Sequence, residues 1–572
     1  MLVNSPMPTL DEDEQFYRDT ESVAFPKIDD RQLELLEPLG ERRTLRRGEM
    51  IFKAGQRDLG LTVILRGQVE VFEKREETEQ VLGTPGERDF IGDVAMLQGT
   101  SALASARVKS DEVEILQVPA TAIRRALAEL PGVSAPLVNA FIMRRRRLMR
   151  DREFAGLRVI ARRDSREGHR LHDFLGKNHI PHRLIEFESE QGQALASRFN
   201  LASRHLPALI TATGAPLRQP SLREVAQQAG LLRPVETDGE QKVHVDLTIV
   251  GAGPAGLAAA VYAGSEGLKT VVLESYAPGG QAGSSSLIEN FFGFPTGISG
   301  GDLTYLAQLQ AYRFGARFST PSEALSITLH KDQEYGACLQ SEGCDASLHS
   351  KCVLIATGAE YRRLEAEGRE EYEGSGVYYA ATALEGQLCR GATVIVAGAG
   401  NSAGQAAMYL SEGAAKVLLV MRGDDLAKTM SSYLARRVQA KANIEILRRT
   451  EIRKMRGNKM LEVVELENTA TGEKRTVQTP AVFSMIGAKP CTNWLPPEIE
   501  RDEKGFIKTG AAVANAPAWQ KSKRAPGPLE TSVPGIFAAG DVRSGSVKRC
   551  AAAVGEGGMA VAGVHAAMAE FA

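Results

Sequence analysis

At 572 residues the chain is too long for a single hydrophobic core and predicts about three or four domains. Charged residues make up 24% and the apolar set 43%, an ordinary globular balance, unlike that of a disordered or membrane-embedded chain. A net charge of −2 gives no global field for a polyanion, so no nucleic-acid partner is expected.

The start, MLVNSPMPTLDEDEQ, is acidic and lacks an apolar segment, and no apolar run is long enough for a bilayer. A cytoplasmic protein with no membrane partner is therefore expected. Six cysteines (Cys338, Cys344, Cys352, Cys389, Cys491, Cys550) form no CxxC pair and no metal-ligand spacing, which predicts free, mostly buried thiols and no metal site.

After a leader over residues 1–29, residues 30–150 alternate like strands; Thr62 to Leu65 and Val69 to Phe72 flank the turn Arg66-Gly67-Gln68. An apolar helical stretch from Ala120 ends in Arg144 to Arg147 and Arg150, which reads as a solvated helix end whose cations suit the C-terminal dipole. Leu45-Arg-Arg-Gly48-Glu49 and Gly92-Asp93-Val94-Ala95-Met96-Leu97 resemble the cyclic-nucleotide-binding fold of catabolite-activator-like regulators. The resemblance implies a β-roll with helices and a cassette in which a Glu holds the ribose and an Arg the cyclic phosphate. Here those positions are Asp93 and Ala102, so the phosphate loses its bidentate partner unless Arg107 substitutes. Whether this domain takes a small effector or is a docking domain is left open.

Residues 157–232 contain strands at Leu157 to Ala161, Arg183 to Phe187 and Pro207 to Thr211, and a helix near Leu222 to Ala229, a compact α/β module. Ile180-Pro181-His182 and His205-Leu206-Pro207 resemble the glutaredoxin and thioredoxin-like fold, with Pro207 as its cis proline. The fold's CxxC position reads Ser165-Arg-Glu-Gly168, so a positioning or packing role is expected instead of electron relay. A polar linker, 233–243, follows.

From Val243 the chain alternates Val-, Ile- and Leu-rich strands with glycine-led helices, the pattern of parallel sheets. Val245 to Val250 runs into Gly251-Ala-Gly253-Pro254-Ala255-Gly256, and Thr270 to Leu273 ends at Glu274. The glycines permit a tight turn, close backbone approach to a pyrophosphate and close helix packing, while a carboxylate about 20 residues on can accept from ribose hydroxyls. Ala392 to Ala397 leads into Gly398-Ala-Gly400-Asn401-Ser402-Ala403 and repeats the grammar, but after Lys416 to Val420 the acid's place is taken by Met421 and Arg422. Two units imply two dinucleotides. A guanidinium without a carboxylate favours a 2′-phosphate, NADPH over NADH, unless Arg422 is a plain strand-end cation.

Besides these turns the chain carries Gly279-Gly280-Gln281, Ile288-Glu289-Asn290-Phe291-Phe292-Gly293-Phe294-Pro295, Ala356-Thr357-Gly358 and Gly535 to Gly540-Asp541. Residues 244–570 thereby resemble the low-molecular-weight thioredoxin reductases. The resemblance implies two Rossmann-like domains in a homodimer: an FAD domain (244–365 and 486–572) and an inserted NAD(P)H domain (366–485). It implies that Gln281 and Asn290 line the flavin, that Asp541 holds the ribityl chain, and that a helix beginning near Arg549 and Cys550 points its N-terminus at the flavin pyrimidine, where reduced-flavin charge collects.

The family's CxxC precedes the second glycine turn; that position reads Ala381-Thr-Ala-Leu384. Cys389 lies nearby without a partner in sequence. The expected function is thus an FAD-dependent NAD(P)H oxidoreductase passing electrons to a small-molecule or protein acceptor. The alternatives are a thioredoxin-disulfide reductase using other thiols such as Cys389 or Cys550, and a non-catalytic redox-sensing flavoprotein.

Overall fold

The computed structural model describes residues 10–75, 78–151, 156–211, 216–232, 242–285, 288, 291–329, 336–341, 347–373, 376–379, 381, 389–458, 460–522 and 524–571. The chain forms two compact units, one of Ala359–Pro490 and one of Pro8–Gly358 with Cys491–Ala572.

The larger unit begins with the stretch expected to be a leader. It contains the helix Leu10–Ala24, and the helix Asp30–Leu36 is started by a capping box between Asp29 and Gln32. Two four-stranded antiparallel sheets follow. The strands flanking Gly67, Leu61–Arg66 and Val69–Arg75, do not pair with each other: the first joins Glu112–Val118 and the second Ser105–Val108. The facing sheets enclose Leu45, Ile64, Val69, Val108, Val113 and Ile115.

The expected single helix from Ala120 is two helices, Ala120–Glu129 and Pro131–Arg150, bent by 113°. Pro131 at the first helical position accounts for the break, since its ring fits a helix start but not a helix interior. No single described helix is long and apolar enough to cross a membrane.

The module over 157–232 is a four-stranded sheet in the order His182–Glu186, Leu157–Ala161, Ala208–Ile210, Pro216–Arg218, and Leu206–Pro207 is a cis peptide. Ser165 and Ser189 cap its first two helices by accepting from the backbone N–H groups of Gly168 and Gly192.

In the last part of this unit, Lys242–Val250 lies parallel between Thr270–Leu273 and Ser347–Ile355, whose carboxyl half pairs with Ile536–Ala538. The helices Pro254–Ser265, Gly300–Arg313 and Cys550–Phe571 cover this sheet. Their core is continuous with that of the N-terminal domain: Leu36, Leu97, Leu127 and Phe141 pack in one cluster with Leu257, Tyr305, Leu309 and Phe318.

The smaller unit has a parallel five-stranded sheet, Val377–Tyr378, Val482–Ser484, Thr393–Ala397, Lys416–Val420 and Ile444–Leu447, and an antiparallel three-stranded sheet from Thr450 to Gln478.

Candidate functional site: two glycine turns at parallel strand ends

Hydrophobic burial of the parallel strands fixes where the first site lies. The strands ending at Val250, Leu273, Ile355 and Ala538 run in the same direction, so the chain leaves all four at one edge of the sheet, the edge where open α/β sheets bind ligands. That edge carries Gly251 to Gly256, Glu274, Thr357-Gly358 and Gly540-Asp541.

Gly251 has φ +99, and a Cβ there would lie 2.5 Å from the Ala356 carbonyl oxygen. A Cβ on Gly256 would lie 1.9 Å from the Gly251 carbonyl oxygen, so the helix Pro254–Ser265 packs on its own turn as only glycine allows. Gly253 precedes that helix and Pro254 occupies its first turn, leaving backbone N–H groups aimed at an anion. Ala255 and Gly256 are buried beneath. The carboxylate of Glu274 accepts from the Ala252 N–H at 2.9 Å and the Tyr276 N–H at 3.0 Å, while burial pushes its carboxyl up.

The Gly279 N–H donates to the Ala252 carbonyl at 2.8 Å, and Gly280 lies so close to Gly253 that a Cβ would come within 3.0 Å. This brings Gly280, at the start of the short helix Gly280–Gly283 that carries Gln281, against the first glycine turn. Asn290, the other expected flavin residue, lies outside the described residues, as do Cys344 and Thr382 to Leu384. Thr357 Oγ1 donates to the Cys491 carbonyl at 2.8 Å, and the Cys491 N–H returns a bond to the Gly358 carbonyl at 3.1 Å.

At the fourth strand end, the Gly540 N–H donates to Glu556 Oε2 at 2.7 Å, and Arg543 pairs with the same carboxylate. Glu556 therefore fastens the Gly540–Val542 turn to the first turns of the helix Cys550–Phe571. Asp541 is half-buried and its carboxyl is pushed up by burial. Arg549, just before the helix, is exposed, and burial pushes the Cys550 thiol up to about 11, the reverse of an activated thiolate. Sequence reasoning passed over Glu556, although an isolated acid in the run Cys550-Ala-Ala-Ala-Val-Gly-Glu556-Gly-Gly signals a buried partner.

In the smaller unit the second turn has the same build. The Gly398 N–H donates to the Val420 carbonyl at 2.9 Å, and Gly400 precedes the helix Asn401–Leu410. Asn401 and Ser402 are exposed at its start and Ala403 is buried. Asn401 Oδ1 accepts from the Ser431 N–H at 2.8 Å, so this side chain also fixes the neighbouring loop. Arg422, at the strand end, is 68% exposed and pairs with Glu451 at 3.1 Å and Glu365 at 3.7 Å. Cys389 is 1% exposed, within the hydrophobic core of this unit.

The N-terminal cassette is tied up internally. Asp93 accepts from the Ala95 N–H at 2.8 Å and from Arg145 Nη2 at 2.7 Å. Arg107, the substitute anion ligand, pairs with Glu70 and Glu79, each at 2.6 Å, and its guanidinium lies 4.3 Å from the centre of the Phe72 ring. It is therefore not a free guanidinium awaiting a phosphate. The expected solvated arginine run is also corrected. Arg144 donates to the carbonyls of Ala24, Phe90 and Gly92, and Arg145, 2% exposed, bridges Asp93 to the His179 carbonyl at 3.3 Å. The His179 ring stacks 3.7 Å from Tyr305. These cations face inward because buried carbonyls and a carboxylate need donors.

The family described as pyridine nucleotide-disulphide oxidoreductase matches residues 245–557, and the cyclic nucleotide-binding domain family matches residues 42–129. The thioredoxin reductase of Treponema pallidum is 34% identical over 322 residues, 56% of this chain and 95% of that protein. The "34.2 kDa protein in rubredoxin operon" of Clostridium pasteurianum is 33% identical over 321 residues, 56% of this chain and 96% of that protein. The solved thioredoxin reductase of Giardia duodenalis superposes with a TM-score of 0.50 at 29% identity, covering 57% of this chain and all of that one. Membership implies FAD and NAD(P)H as cofactors, and the glycine cradle, the ribose carboxylate and the repeated second turn fit two dinucleotides. The chain belongs to the pyridine nucleotide-disulphide oxidoreductase family, as a thioredoxin reductase-like enzyme that carries an N-terminal cyclic nucleotide-binding domain.

Proposed function

We propose that the enzyme takes electrons from NADPH at the second glycine turn, holds FAD at the first, and passes electrons to an acceptor outside its own thiols. When bound, the nicotinamide supplies a hydride and the flavin accepts it. The chain's own contribution is to hold pyrophosphates on helix N-termini, ribose hydroxyls on Glu274 and the flavin end against Gln281 and Asp541. The observation that carries this reading is the pair of glycine turns at parallel strand ends, Gly251 to Gly256 and Gly398 to Ala403, in a chain with no CxxC.

The alternative thiol route has little support, since Cys389 is in a core and burial disfavours the Cys550 thiolate. Quinones, oxygen, ferredoxin-like carriers and a partner protein's disulfide are the candidate acceptors. We read the 157–232 module as thioredoxin-like without thiols, on its sheet order, and the N-terminal domain as regulatory, open to a small effector that competes for Asp93. A cytoplasmic homodimer completes the proposal: a cleft of about 430 Å³ lined by Leu257, Val261, Ala307 and Phe314, beside exposed Tyr262 and Met559, offers an apolar face to a second copy.

Steady-state oxidation of NADPH and NADH with a panel of these acceptors tests the reading. Arg422→Ala is expected to raise the KM for NADPH about fivefold more than that for NADH, because a 2′-phosphate displaces Glu451 and Glu365 from the guanidinium. Equal effects would remove the preference for NADPH. Turnover of a thioredoxin disulfide that disappears in Cys550→Ser would overturn the proposed acceptor class.

A further inference from the structure

The chain keeps an α/β module whose sequence has no thiol pair, and, besides its contacts to Arg145 and Tyr305, it grips one residue of the first dinucleotide site at several points. Tyr276 stands two residues beyond Glu274, and its N–H donates to Glu274 Oε1 at 3.0 Å. The Tyr276 hydroxyl donates to Asp173 Oδ2 at 2.8 Å, and its ring meets Phe174 edge-on with centroids 5.6 Å apart. Lys177 Nζ lies 5.5 Å from the ring centre and pairs with Asp173 at 2.9 Å. The Tyr276 carbonyl accepts from Asn178 Nδ2 at 3.2 Å, and Asn178 is 3% exposed.

Hydroxyl, ring and carbonyl of one tyrosine are thus held by the end of the helix Arg166–Lys177 and the residue after it. A tyrosine held at three points fixes its own N–H, and that N–H is one of the donors orienting the ribose carboxylate. Preorganising a ligand group in this way lowers the ordering cost of binding.

We propose that the module is a wall of the first dinucleotide site, and that Tyr276, gripped by Asp173, Phe174 and Asn178, is a positioning residue for Glu274 and so for the adenosine half of the dinucleotide. This rests on reading FAD as the occupant of that site. It gives the module a role that needs no cysteine.

The test uses the full chain, with FAD dissociation followed by flavin fluorescence on dilution and ADP binding to the flavin-free protein followed by calorimetry. Tyr276→Ala is expected to weaken FAD and ADP by the same factor, about tenfold or more. Tyr276→Phe, which keeps the ring, should weaken both only about threefold. Asp173→Ala should come close to Tyr276→Phe, and the double variant should lose much less than the sum of the two, because both remove the Tyr276–Asp173 hydrogen bond. The first also frees Lys177, and the second also gives up the longer bond to the Arg170 carbonyl at 3.3 Å. Arg163→Ala, an exposed change elsewhere on the module, should leave both affinities unchanged. Wild-type affinities in Tyr276→Ala, or additive losses in the double variant, would overturn the positioning role. Wild-type protein that binds neither FAD nor ADP would instead overturn the reading of the first site itself.

Discussion

The two glycine turns share a grammar and differ in how far each is finished before a ligand arrives. In the first, a Cβ on Gly256 would sit 1.9 Å from the Gly251 carbonyl oxygen; in the second the same place holds the buried methyl of Ala403. The strand beside the first turn leads into Glu274, half-buried and already fixed by two backbone N–H groups. The strand beside the second leads to Arg422, largely exposed and balanced by Glu451 and Glu365. A closed, preorganised site suits a cofactor that stays, and an open strand end with exchangeable ion pairs suits a donor that comes and goes.

The largest effect should come from making the first turn like the second. Gly256→Ala forces the helix off its turn and is expected to give protein without bound flavin, read from the visible spectrum; a normally yellow variant would mean the close approach is dispensable. The next tests whether the N-terminal domain buttresses the first site alone. Arg145→Met strands Asp93 and the His179 carbonyl and should cost about 3 kcal/mol, lowering the calorimetric transition of the larger unit while leaving that of Ala359–Pro490 in place. Both transitions falling together would contradict that separation.

A pH effect of similar origin should follow. Burial holds the His179 ring at about 4, below its ordinary 6.5, so the unfolded chain takes up a proton that the folded one refuses. The stability this residue contributes is fully present above pH 6.5 and is lost as pH falls towards 4, by at most about 3 kcal/mol. In His179→Asn, whose side chain tolerates the φ of +54, unfolding midpoints should depend less steeply on pH over that window. An unchanged slope would assign the acid sensitivity elsewhere. The smallest effect is the reciprocal of the first change: Ala403→Gly should cost only about 1 kcal/mol or less and leave the KM for NADPH within about twofold, whereas a collapse of the second unit would show that the two turns are equally demanding.

The sites that depend on backbone conformation were legible because glycine spacing and strand patterning are local. The expected strand Leu157 to Ala161 and the expected strand Thr270 to Leu273 match the observed ones residue for residue. What the sequence hid depends on partners far along the chain. Arg144 and Arg145 read as a helix end in water because their acceptors, Gly92, Asp93 and His179, arrive from other elements. Arg107 read as a spare phosphate ligand because Glu70 and Glu79 reach it only across paired strands. The break at Pro131 was legible in principle, since proline marks a helix start, but the surrounding apolar residues suggested continuity. Tyr276 carried no signal at all, since its meaning comes from Asp173 and Asn178, about a hundred residues earlier.

The central claim is that one glycine turn seats a flavin and the other the nucleotide that reduces it. Anaerobic addition of NADPH to the purified, flavin-loaded protein tests it most directly. The account predicts that the oxidised-flavin absorbance bleaches stoichiometrically within the turnover time and returns on exposure to an acceptor. A flavin band that persists with both NADPH and NADH, or a preparation that stays colourless when FAD is supplied, would contradict it.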